Sequence, residues 1–314
     1  MKVFVTGATG FLGRRVVHRL VGEGHEVVAL VRGGGREVEG ATVVTGDLTD
    51  VTQWQDQLSG MDAVAHLGGL VTAWSPWHEY EKAIVVPTRD LLVAADAHHV
   101  RRFVYISSEA VLQHGQPLLD ITEAQPAPAH PSSGYGRAKI EAEQAIRAHR
   151  GSIETIVLRP PFMWGQGSAQ LAEFAARARA GKLPLVDHGT AAFEHVHVDN
   201  VAAAVVAALT EGTSGATYFV TNGQSMPIRE FLVGVLGAQG APMPQRSIPS
   251  RVLYPVARAS EWLWSKLPLP GRPPITPFEV EFLSLPRRYD IDKARHELGY
   301  KPIVTFAEGI AALS

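Results

Sequence analysis

Tyr135 and Lys139 stand four residues apart in the stretch "GYGRAK". On a helix that spacing puts a phenol and an ammonium on one face. Together they could form a general acid/base unit. A free tyrosine titrates at about 10, so working near neutrality requires the phenolate to be stabilised by roughly 3 units, about 4 kcal/mol. A neighbouring cation supplies such a field. The same spacing also occurs on ordinary surface helices, so the pair gains meaning only from the elements that position it.

The whole chain restricts the chemistry further. Its 314 residues are enough for one large α/β domain, or for two smaller units sharing a core. Hydrophobic residues make up 46% and charged residues 19%, an ordinary globular balance. A net charge of −2 provides no basic field for nucleic acid. No cysteine is present, which excludes disulfides, thiol nucleophiles and zinc–thiolate sites. The opening "MKVFVTGATG" reads as a buried strand and not as a signal peptide. No apolar run approaches the roughly 18 residues needed to span a bilayer. The expected location is cytoplasmic, or at most peripheral to a membrane.

Strand and helix patterns alternate through the first half. "KVFVTG", "EVVALVR", "ATVVTGDL", "DAVAHLGG", "RFVYISS" and "IETIVLRP" read as strands, with amphipathic segments between several of them. That alternation implies parallel pairing with right-handed crossovers: an α/β fold with a doubly wound parallel sheet. After Pro160 the rhythm changes, and beyond Gly223 the chain becomes Pro-rich. The expected division is a dinucleotide-binding Rossmann domain at 1–160, rejoined by 190–222. A smaller substrate-binding cap would comprise 161–189 and 223–314.

The glycines carry the next argument. Gly7, Gly10 and Gly13 in "VTGATGFLG" fall between the first strand and the first helix. The first permits a tight turn, the second admits a pyrophosphate, and the third lets helix and strand pack closely. The helix start then offers free N–H groups to the phosphates. A dinucleotide site is expected there, including Thr9, Phe11 and Leu12. Where an NAD site usually carries an acid for the ribose, this chain has Val31 and then Arg32. Arg32 is therefore expected to meet a 2′-phosphate, making the cofactor NADP, with NAD as the alternative.

These motifs together resemble the extended short-chain dehydrogenase/reductase family. The resemblance rests on "TGATGFLG", "GDLTD", "HLGG", "YISSEAV", Tyr135-x-x-x-Lys139, "VLRPPFMWGQG", "HVHVDNVAAAV" and "YDIDKARHELGYKP". It covers essentially the whole chain and is strongest with the branch of 3β-hydroxysteroid dehydrogenases and 2-alkyl-3-oxoalkanoate reductases. It implies Tyr135 as general acid/base and Lys139 as its electrostatic partner and ribose ligand. It implies Ser108 as hydrogen-bond donor to the reacting oxygen, with Ser107 as runner-up. Asp47 and Leu48 would hold the adenine, Leu67 and Gly68 the ribose and pyrophosphate, and Pro161 the nicotinamide. The implied activity is hydride transfer between a nicotinamide and a secondary alcohol or ketone. The implied assembly is a homodimer built on "VPTRDLLVAADAHHV" and the helix of Tyr135.

The chain departs from that family pattern at three places. Ile84 and Pro87 replace an Asn and a Gly of the family, removing a polar relay contact. Ser108 is followed by Glu109 and Ala110, an incomplete acidic pair that argues against sugar-nucleotide dehydration. Phe193 replaces a diphosphate-binding Arg of the epimerases, favouring an apolar substrate over a sugar nucleotide. A sugar-nucleotide epimerase and a non-catalytic dinucleotide-binding module are the alternative functions. Trp74, Trp77, Phe162 and Phe193 are the expected pocket residues. His195 and His197 share a strand face, but no metal is expected. In "RVLYPVARASEWLWSKL", Val256, Leu263 and Leu267 share a helical face, which could pack in the cap or lie on a membrane surface.

Overall fold

Seven short apolar runs form the central sheet in a computed structural model that describes residues 1–34 and 37–313. They are β1 (Lys2–Thr6), β2 (Glu26–Val31), β3 (Thr42–Thr45), β4 (Ala63–His66), β5 (Arg102–Ile106), β6 (Glu154–Arg159) and β7 (Thr217–Phe219). Their order across the sheet is β7-β6-β5-β4-β1-β2-β3, and every neighbouring pair is parallel. Such strands are covered on both faces, which explains why β1, β4 and β5 read as nearly continuous apolar runs. The sequence expectation of a doubly wound α/β sheet describes this architecture.

Each sheet face has its own core. On one, α1 (Phe11–Gly22) packs beside Val198–Ala208, the Ala/Val-rich helix. On the other lie α2 (Val86–Ala97) and α3 (Gly134–Ala148), with Tyr80, Ile84 and Tyr105 beneath them. The chain order reverses between β1 and β4, and the carboxyl ends of these strands open a crevice there. Two pieces outside the alternating pattern complete the body. Arg287–Tyr289 pairs in parallel with Leu118–Ile121, and Tyr289 stacks on Phe219 at 4.6 Å. Tyr289, Ile291, Leu298 and Tyr300 thus return the C-terminal segment to the sheet core.

A third core lies outside the seven-stranded sheet. Ala192–His197 pairs in parallel with Phe162–Trp164 and antiparallel with Ser225–Pro227. Around this small sheet, Trp164, Phe193, Phe231 and Leu236 are buried with the helices Ala169–Arg179 and Ile228–Ala238. Ser250–Lys266 and Pro277–Ser284 follow as a helical pair. Among the described residues no helix is long and apolar enough to cross a membrane.

Candidate functional site

The two glycines that flank Tyr135 decide where it sits. A Cβ on Gly136 would lie 2.5 Å from the Ala110 carbonyl oxygen, and one on Gly134 would lie 2.8 Å from the Tyr80 ring. Only hydrogen side chains let α3 press this closely on the turn that follows β5. Ser133 caps the helix by accepting a hydrogen bond from the Gly136 N–H at 3.0 Å. The phenol of Tyr135 is thereby brought to the Ser108 hydroxyl, which eases it downward. Burial outweighs that contact and pushes Tyr135 up to about 12, so without a bound cation beside it the phenol keeps its proton.

Lys139 lies one turn along α3 and is buried. Its Nζ donates to the Tyr105 hydroxyl at 3.0 Å and to the Ile106 carbonyl at 2.7 Å. It sits 6.0 Å from the centroid of the Tyr135 ring. Burial lowers it to about 7, while Glu143 opposes the shift. Glu143, the next turn along the same face, is the anchor of the set. It receives two bonds from the Arg159 guanidinium at 2.9 and 2.6 Å, and one from Arg147 at 3.0 Å. The Ser107 hydroxyl also donates to Glu143, at 2.6 Å. Ser107 is therefore spent on structure, whereas Ser108 faces the phenol.

A second polar chain runs beneath the site. Thr88 donates to the Ile84 carbonyl at 2.6 Å, so its oxygen accepts from His66 Nε2 at 3.0 Å. His66 Nδ1 then accepts from Thr6 at 2.8 Å, and Thr6 accepts from the Gly68 N–H at 3.1 Å. Burial holds His66 near 3, hence neutral, as this chain requires. Its ring stacks on Tyr105 at 5.3 Å. The chain thus joins the glycine turn to the phenol that holds Lys139. The Asn expected from the family is replaced by buried Ile84, and Tyr105 supplies a polar contact in this region instead.

The dinucleotide residues converge at the sheet's carboxyl edge. Gly7 has a φ of +68°, and a Cβ there would lie 2.8 Å from the Gly68 amide. The residues before α1 provide no side-chain cap, so the first amides remain for an anion. Thr9, Gly10, Phe11, Leu12 and Gly13 form this turn and helix start. Leu48 packs against Gly68 beside Leu67. Asp47 is held low by the Thr49 amide and hydroxyl, with Arg32 adding to the field. Arg32 itself is exposed at the end of β2. The Pro160 carbonyl accepts the Glu109 N–H at 3.1 Å, which brings Pro161 beside the Ser108 turn. A glycine cradle, an uncapped helix start and a cation beyond β2 fit a nicotinamide dinucleotide.

The expected pocket residues separate. Trp74 is half-buried in a loop and Trp77 half-buried at the start of the short helix Trp77–Tyr80, where the Arg137 guanidinium stacks on it at 3.6 Å. Phe162 is half-buried beside Phe174 and Phe282. Phe193 is only 2% exposed and sits inside the cap core, 5.3 Å from Phe231 and 5.8 Å from His195. It packs the cap instead of forming an open wall, because its strand is covered by the Ile228–Ala238 helix. His195 accepts from the Trp164 indole at 2.9 Å. No group of three potential metal ligands occurs among the described residues. Glu109 is engaged by the Tyr289 hydroxyl and by Arg287, and its charge adds to the upward push on Tyr135.

The seven-stranded order, glycine turn and cap define an extended short-chain dehydrogenase/reductase. Residues 3–221 match the model of the NAD dependent epimerase/dehydratase family, and the chain belongs to that family. It is 35% identical to the 2-alkyl-3-oxoalkanoate reductase of Stenotrophomonas maltophilia (strain K279a), covering 100% of this chain and 98% of that one. It is 26% identical to a 3-beta-hydroxysteroid dehydrogenase of Mycolicibacterium neoaurum, over 99% of this chain and 89% of the relative. The crystal structure of gox2253 superposes with a TM-score of 0.78 at 27% identity, over 99% of this chain and 97% of that one. The chain is thus an oxidoreductase-type member of this family.

Proposed function

We propose that this protein interconverts a ketone and a secondary alcohol on a lipophilic substrate, using NADP(H) at the site of Ser108, Tyr135 and Lys139. One observation carries the reading. Tyr135 keeps its proton, Ser108 lies beside it with its hydroxyl oxygen accepting the Ala110 N–H at 3.2 Å, and buried Lys139 is fixed behind them. When bound, the nicotinamide supplies or accepts the hydride. In the reductive direction Ser108 and Tyr135 hydrogen-bond the carbonyl oxygen, and Tyr135 gives it a proton as the carbon takes the hydride. Lys139, with its charge beside the ring, stabilises the phenolate left behind. In oxidation the same groups act in reverse.

The lipophilic class is supported by what the relatives act on, an alkyl oxoalkanoate and a steroid by name. NADP is supported by Arg32 beyond β2, where no acid stands. The proposed location is cytoplasmic, with at most a peripheral membrane contact. A homodimer would pair α2 and α3 with their symmetry mates through a self-complementary face that includes exposed Val93.

NADPH consumption with 2-alkyl-3-oxoalkanoates and 3-ketosteroids, and chromatographic conversion of a UDP-sugar in the presence of NAD, test the reading. Turnover of a lipophilic ketone and none of the UDP-sugar is expected. The reverse pattern overturns it. Light scattering at micromolar concentration should give twice the mass of the 33.9 kDa chain.

A further inference from the structure

The helix Ser250–Lys266 has two faces with opposite allegiances. Its inner face is fixed. Ala257 and Ser260 are buried, and the Tyr254 hydroxyl donates to Glu281 of the neighbouring helix at 3.1 Å. Glu261, the helix's one acid, is half-buried and close enough to Tyr80 to act on its phenol. Tyr80 in turn lies 6.5 Å from Tyr135, ring centre to ring centre. The inner face is thus turned toward the Tyr80 side of the reaction site.

The outer face has no partner among the described residues. Val252 is 53% exposed, Val256 55%, Trp262 60% and Leu263 38%, and the chain beyond adds Leu267 at 48% and Leu269 at 36%. These are six of the twelve exposed large apolar side chains among the described residues, gathered in 18 positions. At 100° per residue, Val252, Val256, Ala259 and Leu263 form one stripe, with Trp262 on its flank. Arg251, Arg258 and Lys266 are exposed around it, and no acid shares their side. An apolar stripe with a flanking indole and a cationic border is the composition of a helix that lies in a lipid headgroup region.

We propose that this outer face docks on the surface of an anionic phospholipid bilayer. The apolar side chains enter the acyl boundary while Arg251, Arg258 and Lys266 meet the lipid phosphates. Charge decides against a second copy of the chain as occupant: the same three cations would face each other across a two-fold axis. A docked helix whose other side is turned toward the site would bring the cleft close to a membrane-dissolved substrate. That purpose rests on the lipophilic-substrate reading; the docking itself does not.

Vesicle sedimentation of the full chain, with no substrate present, tests the docking. The probes are phosphatidylcholine vesicles and vesicles in which about a quarter of the lipid is phosphatidylglycerol, a mixture with an anionic surface potential. The wild type should bind the anionic vesicles at least tenfold better than the neutral ones, and lose that advantage in high salt. The double variant Val256→Glu/Leu263→Glu should abolish binding to both. The triple variant Arg251→Ser/Arg258→Ser/Lys266→Ser should remove only the anionic preference. Both should bind NADPH as the wild type does, which shows that they fold. Equal binding to the two vesicle types, no binding to either, or wild-type binding by the double variant would overturn the proposal. So would self-association of the wild type that Val256→Glu/Leu263→Glu dissolves, since the face would then belong to a second copy. Failure of every ketone as substrate would instead strike the functional reading and leave vesicle binding intact.

Discussion

The two sides of the cleft are built on different physics. On the sheet side, buried ionisable groups are held by directed hydrogen bonds: Lys139 by Tyr105 and a carbonyl, Glu143 by Arg159, Arg147 and Ser107. On the cap side the buried groups are mostly rings, with Phe162, Trp164, Phe193, Phe231 and Phe306 in mutual contact. A charge network fixes directions, because losing one partner strands the other. An aromatic core fixes volume and is indifferent to small rotations. The first suits a reaction whose proton must travel along one line. The second suits recognition of an apolar body by shape.

The largest effect expected from this contrast is catalytic. Tyr135→Phe removes a proton donor from the ordered side while leaving its packing. Turnover should fall by up to about 10⁴-fold, the upper range for general acid/base catalysis. NADPH affinity, measured by calorimetry, should stay within about twofold, because the ring and Lys139 remain. A variant retaining more than a tenth of the rate would remove Tyr135 from the mechanism.

Stability probes sharpen the contrast. Arg159→Met leaves Glu143 largely uncompensated in the interior and should cost about 3–5 kcal/mol in urea denaturation. Phe193→Ala should cost a similar amount, about 3–5 kcal/mol, by leaving a cavity. The two should differ in what they do to the reaction: Arg159→Met should lower kcat by loosening Glu143, which holds Ser107 and whose charge acts on Lys139, whereas Phe193→Ala should leave NADPH binding unchanged. Equal kinetic damage from both would erase the distinction between the two sides.

Smaller effects follow at the edge of the sheet. Arg32→Ala should weaken NADPH by about 1.5–3 kcal/mol, the value of a charge-assisted bond, and leave NADH nearly untouched. Equal losses for both cofactors in a binding titration would place Arg32 outside the 2′-phosphate site. The pH dependence is smaller still per unit. Folding lowers His66 to about 3, so the unfolded chain binds the extra proton below about pH 6.5. Stability is then full above that pH and falls toward about 3, by at most about 1.4 kcal/mol per pH unit for this group. Glu143, also lowered, acts in the same direction only below about pH 4.3. Replacing His66 by Asn should flatten the slope between pH 6.5 and 5.

Much of the site could be read directly. Gly7 to Gly13, the Tyr135–Lys139 spacing and the serines after β5 are local patterns, each set by a backbone that one stretch of chain defines. The function of Ser107 was not legible, because its partner Glu143 lies 36 residues away. Phe193 shows the limit differently. Its position in the strand pattern was clear, but whether it faced a ligand or a core depended on the Ile228–Ala238 helix.

By itself, then, the sequence determined the strand order's raw material, the glycine turn and the Tyr135–Lys139 spacing, since hydrophobic period and glycine placement act over a few residues. The tertiary structure alone decided which groups are paired. Glu109 meets Tyr289 across 180 positions, and Arg102 reaches the Glu211 carbonyl across 109. It also decided that Val256 and Leu263 remain in water while Tyr254 and Glu261 turn inward. A helix's own pattern gives it an apolar stripe. Only the packing of its neighbours settles which side is left uncovered.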